Sequence, residues 1–257
     1  MMKTLSITAS LALAALLGVV APAAHADDST FRIHFAGWGG VTGSGKAQTE
    51  SRAVSGFQAI ATRGSVKLVL RQGTREGVEL RGDDNILPLI ETRVVDRGGV
   101  PTLEIGTKDG ASYSTREPLV ATIDLVTLRS LKLSGSSDVV CEGLKTAALQ
   151  IVVSGSGRVR MRQLGTDDLA VTISGSGDAE FSGRAGRLSL KISGSGEADT
   201  RALEADDVAV TVAGSGDVRV NARKTLAVSL AGSGSVGYTG EATVTSSIAG
   251  IGRVKKL

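Results

Sequence analysis

The stretch GVTGSGKA, Gly40–Ala47, comes within one hydroxyl of a phosphate-binding loop. Gly40, Gly45 and Lys46 stand at the spacing at which backbone amides and a lysine would cradle the phosphates of a nucleotide. Ala47, however, occupies the position where a Ser or Thr would hold magnesium, so the stretch reads instead as part of a glycine-rich arm. Three acids invite a different chemistry. Asp178, Glu197 and Asp217 each follow a Gly-Ser-Gly turn, and brought together they would repel one another or share a cation such as calcium. No carbonyl-rich calcium loop surrounds them, which leaves solvated turn acids relieved by Arg158 and Arg219. Arg81-Gly82-Asp83 spells a cell-attachment tripeptide, but recognition requires display on an exposed loop, and Asp83-Asp84 is better read as turn and cap chemistry.

Nucleophilic and metal chemistry find little support. His34 is the only histidine after residue 26, and Cys141 is the only cysteine of the chain. One of each cannot complete a zinc site, and a Ser-His-Asp arrangement would rest on His34 alone. No internal disulfide is possible. The sequence therefore assigns no catalytic, cofactor-binding or metal-ligating residue.

What positions these side chains is a repeat. Aligned on the turn, the chain reads LKLSGSSDVV from Leu131, IVVSGSGRVR from Ile151, VTISGSGDAE from Val171 and LKISGSGEAD from Leu190. VTVAGSGDVR from Val210, VSLAGSGSVG from Val228 and SSIAGIGRVK from Ser246 follow. The first glycines, Gly135, Gly155, Gly175, Gly194, Gly214, Gly232 and Gly250, are spaced 20, 20, 19, 20, 18 and 18 residues apart. Apolar residues alternate on both sides of each turn, as in Leu169-Val171-Ile173 and then Ala179-Phe181, which is the signature of half-buried strands. Cys141, Met161 and Phe181 share one inward position. A turn that recurs once per period predicts an all-β, parallel β-solenoid, a single-stranded right-handed β-helix of 18–20 residues per coil. Stacking at about 4.8 Å makes the seven turns a rod of roughly 29 Å. The competing sandwich of hairpins would alternate its turn chemistry.

The leading residues predict export. Lys3, an apolar stretch from Leu5 to Val20 and Ala24-His25-Ala26 form the three parts of a secretory signal cut after Ala26, placing the protein in the periplasm or outside the cell. Cleavage takes one Lys and no acid from the 29 basic and 26 acidic residues, so the surface stays near charge balance. No basic cluster denser than Arg158, Arg160 and Arg162 favours nucleic acid, and no later stretch is apolar for long enough to span a bilayer. Residues 27–52 read as a flexible Gly-rich arm, and 53–257 as the β-helical body. Within the body, 53–126 form an N-terminal part or cap and 127–257 the SGSG repeats. DNILPLI suggests one helical turn behind an N-cap Asp84, ETRVVDRGG with PTLEIGTKDG a hairpin, and LVATIDLV a strand. IATRGSVKLVL looks like a degenerate copy of the later turn, so the front starts or caps the same stack.

The run AVSGFQAIATRGSVKLVLRQG (Ala53–Gly73), then GVELRGDDNILPLIET, then LRSLKLSGSSDVV with its SGSG successors, resembles the auto-transporter adhesin head, or GIN, domain of exported bacterial proteins. The resemblance covers nearly all of the chain from Ala53 onward. It implies a β-helical protein and carries no catalytic or binding residues with it.

Three functions are compatible with these readings. The first is a non-enzymatic exported solenoid whose outward Arg158, Arg160, Glu180, Asp199 and Arg219 form a mixed-charge face for adhesion or envelope contact. Its ligand would be an envelope or extracellular polysaccharide or protein. The second, a carbohydrate-active β-helix enzyme, needs carboxylates clustered in a groove, usually on long insertions, and coils of 18–20 residues leave no room for them. The third, a self-assembling rod, needs uncapped ends, which Lys255 and Lys256 oppose.

Overall fold

The computed structural model describes residues 40–257; the signal segment 1–26 and His34 lie outside the described residues. The front part forms β1 (Val41–Thr42), β2 (Ala47–Arg52), β3 (Ala59–Gly64), β4 (Lys67–Gln72), β5 (Gly77–Asp83), β6 (Ile90–Asp96), β7 (Pro101–Thr107), β8 (Tyr113–Ser114) and β9 (Val120–Leu125). The repeats form β10 (Ser130–Gly135), β11 (Asp138–Cys141), β12 (Leu144–Gly155), β13 (Arg158–Gly175), β14 (Asp178–Gly194) and β15 (Glu197–Gly214). The last rungs are β16 (Asp217–Gly232), β17 (Ser235–Thr239), β18 (Thr243–Gly250) and β19 (Arg253–Lys256). Apart from β1 and β8, which pair with each other, every strand belongs to one sheet. That sheet winds into a parallel β-solenoid of about six turns. Among the described residues no helix is long and apolar enough to cross a membrane.

Period-two patterning dictates the packing, because alternate side chains of every rung point into the rod. In register, Leu103, Ile60, Leu131, Ile151, Val171, Leu190, Val210 and Val228 form one unbroken apolar column. All of them are buried. A second column carries Leu70, Cys141, Met161 and Phe181. Cys141 is thus a buried core residue, and burial raises its thiol pKa above the ordinary value. Burying each large aliphatic side chain contributes about 1.5–3 kcal/mol, and the columns repeat that gain at every rung.

The corners stack as well. Gly64 joins the seven later corner glycines in one file, all at φ between +98° and +129°, a region open to glycine and strained for other residues. A Cβ placed on Gly175 would lie 2.6 Å from the carbonyl oxygen of Gly155 on the rung before it. A second file runs beside the first, and its start is instructive. Ser137 is fully buried, and its hydroxyl donates to the Gly64 carbonyl at 3.2 Å and lies 3.3 Å from Thr62 Oγ1. From Gly157 onward that position is glycine, because a Cβ on Gly177 would meet the Gly157 carbonyl at 2.8 Å. A side chain fits only where the rung beneath differs.

The front of the chain is wound out of order. β3 pairs in parallel with β10 on one side and with β7 on the other, and β4 lies likewise between β11 and β9. The degenerate copy is therefore the second rung in space, and the strands that follow it pass beneath to build the first. Antiparallel strands then close that end, with β6 on β7, β5 on β9 and β2 on β5. At the opposite end Ser246 and Lys256 stand in the inward columns, beside Val228 and Tyr238 of the preceding rung. Polar residues there end two of the apolar columns, while others end on Val244, Ile248 and Val254, and Lys256 reaches Glu241 at 3.1 Å.

Two local expectations are corrected. Residues 40–52 are not a free arm, since β1 pairs with β8 and β2 with β5. The turn after Asp84 is a single 3-10 turn at Leu87–Leu89 preceded by Ile86, with no side-chain cap. Asp84 is engaged elsewhere, its amide donating to the Lys46 carbonyl at 2.9 Å.

Candidate functional site

The two weak motifs of the front meet each other. Asp83 is fully buried, and its carboxylate accepts from the amides of Gly45 at 2.6 Å, Arg116 at 2.9 Å and Glu117 at 3.1 Å. The Ser44 amide donates to Asn85 Oδ1 at 2.9 Å, and the Ser44 hydroxyl to Asp84 Oδ1 at 2.6 Å. The glycine loop does cradle an anion, but the anion is the protein's own. The loop therefore serves neither a nucleotide nor an attachment receptor, because the Gly45 amide is occupied and the tripeptide's acid is hidden. Gly43 has no space for a side chain, since a Cβ would collide with the Asp83 carboxylate.

Desolvation pushes the Asp83 pKa up, and the three amides with the nearby Arg116 charge outweigh it, so the net shift is downward. The native state therefore holds the ionised form more tightly than the unfolded chain does. That stability is present above the ordinary carboxylate range and is lost as pH falls through the native pKa. Acid titration of unfolding is expected to show a shallower loss below about pH 4 in Asp83→Asn than in the wild type. Asp83→Ala, which leaves three amides without an acceptor, lowers the thermal midpoint by several degrees at neutral pH.

The mixed-charge face lies on the strand that follows the corner. Two outward columns run side by side, Asp138, Arg158, Asp178, Glu197 and Asp217 in one, and Arg160, Glu180, Asp199 and Arg219 in the other. Arg158 meets Asp178 at 3.2 Å and Arg160 meets Glu180 at 2.7 Å. Arg201 meets Asp199 at 2.5 Å, and Arg219 pairs with Glu197. The Glu180 carboxylate holds the Arg160 pKa above its usual value, and Arg201 holds Asp199 below the usual carboxylate range. The stacked acids Asp178, Glu197 and Asp217 thus turn to three different partners, the last accepting from the Ser235 amide at 3.2 Å. Among the described residues no group of three or more acids, histidines or cysteines could hold a metal ion.

The face is hollowed into a groove of about 620 Å³ over β13, β14 and β15, floored by Met161 and Phe181 and lined by the Arg158–Asp178, Arg160–Glu180 and Arg201–Asp199 pairs and by Glu197. Its wall is made by bulges. Met161 pairs with Phe181 but Leu164 with Gly183, Glu180 with Asp199 but Ser182 with Ala202. Between β15 and β16 the register shifts after Thr200. The unequal repeat lengths are therefore absorbed mainly just after the charged columns, with one further shift between Ala205 and Asp207. Gln163 lies there at φ +50°, and among the described residues no other non-glycine residue has positive φ. Bulges concentrate where a sheet re-aims side chains for binding. The groove offers guanidinium donors and carboxylate acceptors in fixed pairs, which suits ligands rich in hydroxyl groups. Sequence reading identified Arg158, Arg160, Glu180, Asp199 and Arg219; it missed Arg201 and the groove itself, although the change of spacing from 20 to 19 residues was a visible signal.

A sequence model of the family described as "Putative auto-transporter adhesin, head GIN domain" matches residues 56–242. No curated protein matches the chain by sequence. Among solved structures, a "putative adhesin" from Bacteroides fragilis is similar at 28% identity and a TM-score of 0.77, over 85% of this chain and 100% of that one. A "putative lipid binding protein" from Parabacteroides distasonis shares the fold at 23% identity and a TM-score of 0.69, over 84% and 99% of the two chains. A "putative adhesin" from Parabacteroides merdae does so at 21% identity and 0.62, over 84% and 98%.

Proposed function

The chain belongs to the GIN-domain family of adhesin heads, and from that premise we propose that it is an exported binding protein whose groove over β13–β15 engages a hydroxyl-rich ligand on the cell envelope or outside the cell. The observation that carries this reading is the lattice of Arg–carboxylate pairs lining a concave, bulge-walled face. Export is supported by the signal pattern of residues 1–26. A glycosidase needs two carboxyl groups free to work as acid and as base or nucleophile, whereas Asp178, Glu180, Asp199 and Glu197 are each engaged by an arginine.

The test is a binding screen of the purified protein against envelope polysaccharides and host matrix proteins, with product analysis of every polysaccharide that binds. Retention without turnover is expected, and release of shortened chains would sink the proposal. Arg160→Ala with Glu180→Ala weakens binding about tenfold or more, since hydrogen bonds from charged groups contribute about 1.5–3 kcal/mol each. Fold stability changes by less than about 1 kcal/mol in this variant, because both side chains are solvent-exposed partners of a surface pair.

A further inference from the structure

A second hollow lies on a different face, and its charge balance is different. On the strand before the corner, outward side chains stack in two rows, Thr102, Ala59, Ser130 and Gln150 in one, and Glu104, Ala61 and Lys132 in the other. Ala59 and Ala61 supply only methyl groups where the neighbouring rungs carry longer side chains. The result is a trench of about 420 Å³, walled on one side by the tip of the β6–β7 hairpin at Arg97 and Val100. That tip is fixed in place, with the Arg97 amide bonded to the Val100 carbonyl at 3.0 Å and Gly99 to Asp96 at 2.8 Å.

Three cations converge on the trench, Arg63, Arg97 and Lys132, and all three are exposed. The lining holds one carboxylate, Glu104, and it is already engaged. Arg97 Nε donates to its Oε1 at 2.9 Å and Arg93 Nε to its Oε2 at 3.2 Å, while only 10% of the side chain is accessible. Among the described residues neither Arg63 nor Lys132 is within ion-pair distance of any acid. The first groove is self-neutralised; this one carries uncompensated positive charge in a concavity, which focuses its field on an approaching anion.

We propose that this trench is a separate binding site for the carboxylates of an acidic glycan, with Arg63 and Lys132 taking the anion and Ser130, Ser134 and Gln150 the neighbouring hydroxyls. A lone anion needs only the cations. The hydroxyl and amide groups favour a chain of sugars, because the two outward rows continue along the rod at the rung spacing of about 4.8 Å, one through Ala170 to Ser189 and the other through Val152 and Thr172 to Lys191.

The experiment is calorimetric titration of the purified chain with a galacturonic acid hexamer, a neutral glucose hexamer, inorganic phosphate, and vesicles containing phosphatidylglycerol. The uronate hexamer is expected to bind, more weakly as salt rises, and at least tenfold more tightly than the neutral hexamer. Arg63→Gln combined with Lys132→Gln is expected to weaken it at least tenfold, and Arg253→Gln, which removes an exposed cation of the last strand outside both hollows, to leave it unchanged, which separates the trench from general attraction to surface charge. Ala61→Gln, which fills the trench and keeps both charges, blocks binding as well. The proposal is overturned by absence of uronate binding, by equal affinity for the neutral hexamer, by binding that survives both trench variants, or by phosphate or vesicles being preferred.

Discussion

Gly175→Ala is expected to lose about 2–5 kcal/mol of stability in urea denaturation, with no change of any surface charge. Two costs combine. Alanine at the φ of +119° found there is strained by about 1–2 kcal/mol. Its methyl would also lie 2.6 Å from a backbone carbonyl, and separating the rungs to relieve that contact costs about 1–3 kcal/mol more. The contact is with main chain, so no side chain can swing away. Gly73→Ala is the control, since it has ordinary φ and open space around it, and a change within about 0.5 kcal/mol is expected. Equal losses at both positions would refute the stacked-corner argument, because helix- or strand-propensity effects alone would not distinguish them.

Phe181→Ala carries the second large effect. Phe181 is buried in the column beside Met161, on the next rung, and also floors the charged groove. Its truncation opens a cavity in the buried column and is expected to cost about 3–5 kcal/mol. Because the cavity lies directly under Arg160 and Glu180, ligand affinity at the groove falls along with stability, although no contact residue is touched. Phe181→Leu restores most of the volume and recovers most of both losses. Stability that drops while groove affinity stays at the wild-type level would show that the core does not shape the face.

Most of the architecture was legible because a solenoid writes its packing into a short period. The alternation around Val171 and Ile173 fixed which side chains point inward, and the recurrence of one turn fixed parallel stacking. Cys141, Met161 and Phe181 could be placed in one column by counting. What escaped depended on contacts between residues far apart in the chain. Nothing in IATRGSVKLVL indicates that the strands after it pass beneath it, since every rung presents the same kind of edge on both sides. The clasp of Gly45 on Asp83 is made through main-chain amides, which leave no mark on residue type. That is why one half of it resembled a nucleotide loop and the other an attachment motif. The trench at Ala61 was hidden for another reason: a hollow is made by small side chains, and its cations, Arg63, Arg97 and Lys132, are brought together only by rung pairing and a hairpin tip.

The inverted winding of the front has a consequence for biogenesis. As the polypeptide is made from its amino end, β3 and β4 appear early yet wait for partners on two flanks. One flank is supplied by residues 101–125 and the other by residues 130–141. Until roughly half the chain has emerged, this segment offers two unpaired hydrogen-bonding margins, so nascent-chain chaperones and premature oligomerisation compete for it there. Every subsequent rung needs only the one laid down just before it, and growth from that point proceeds by local addition.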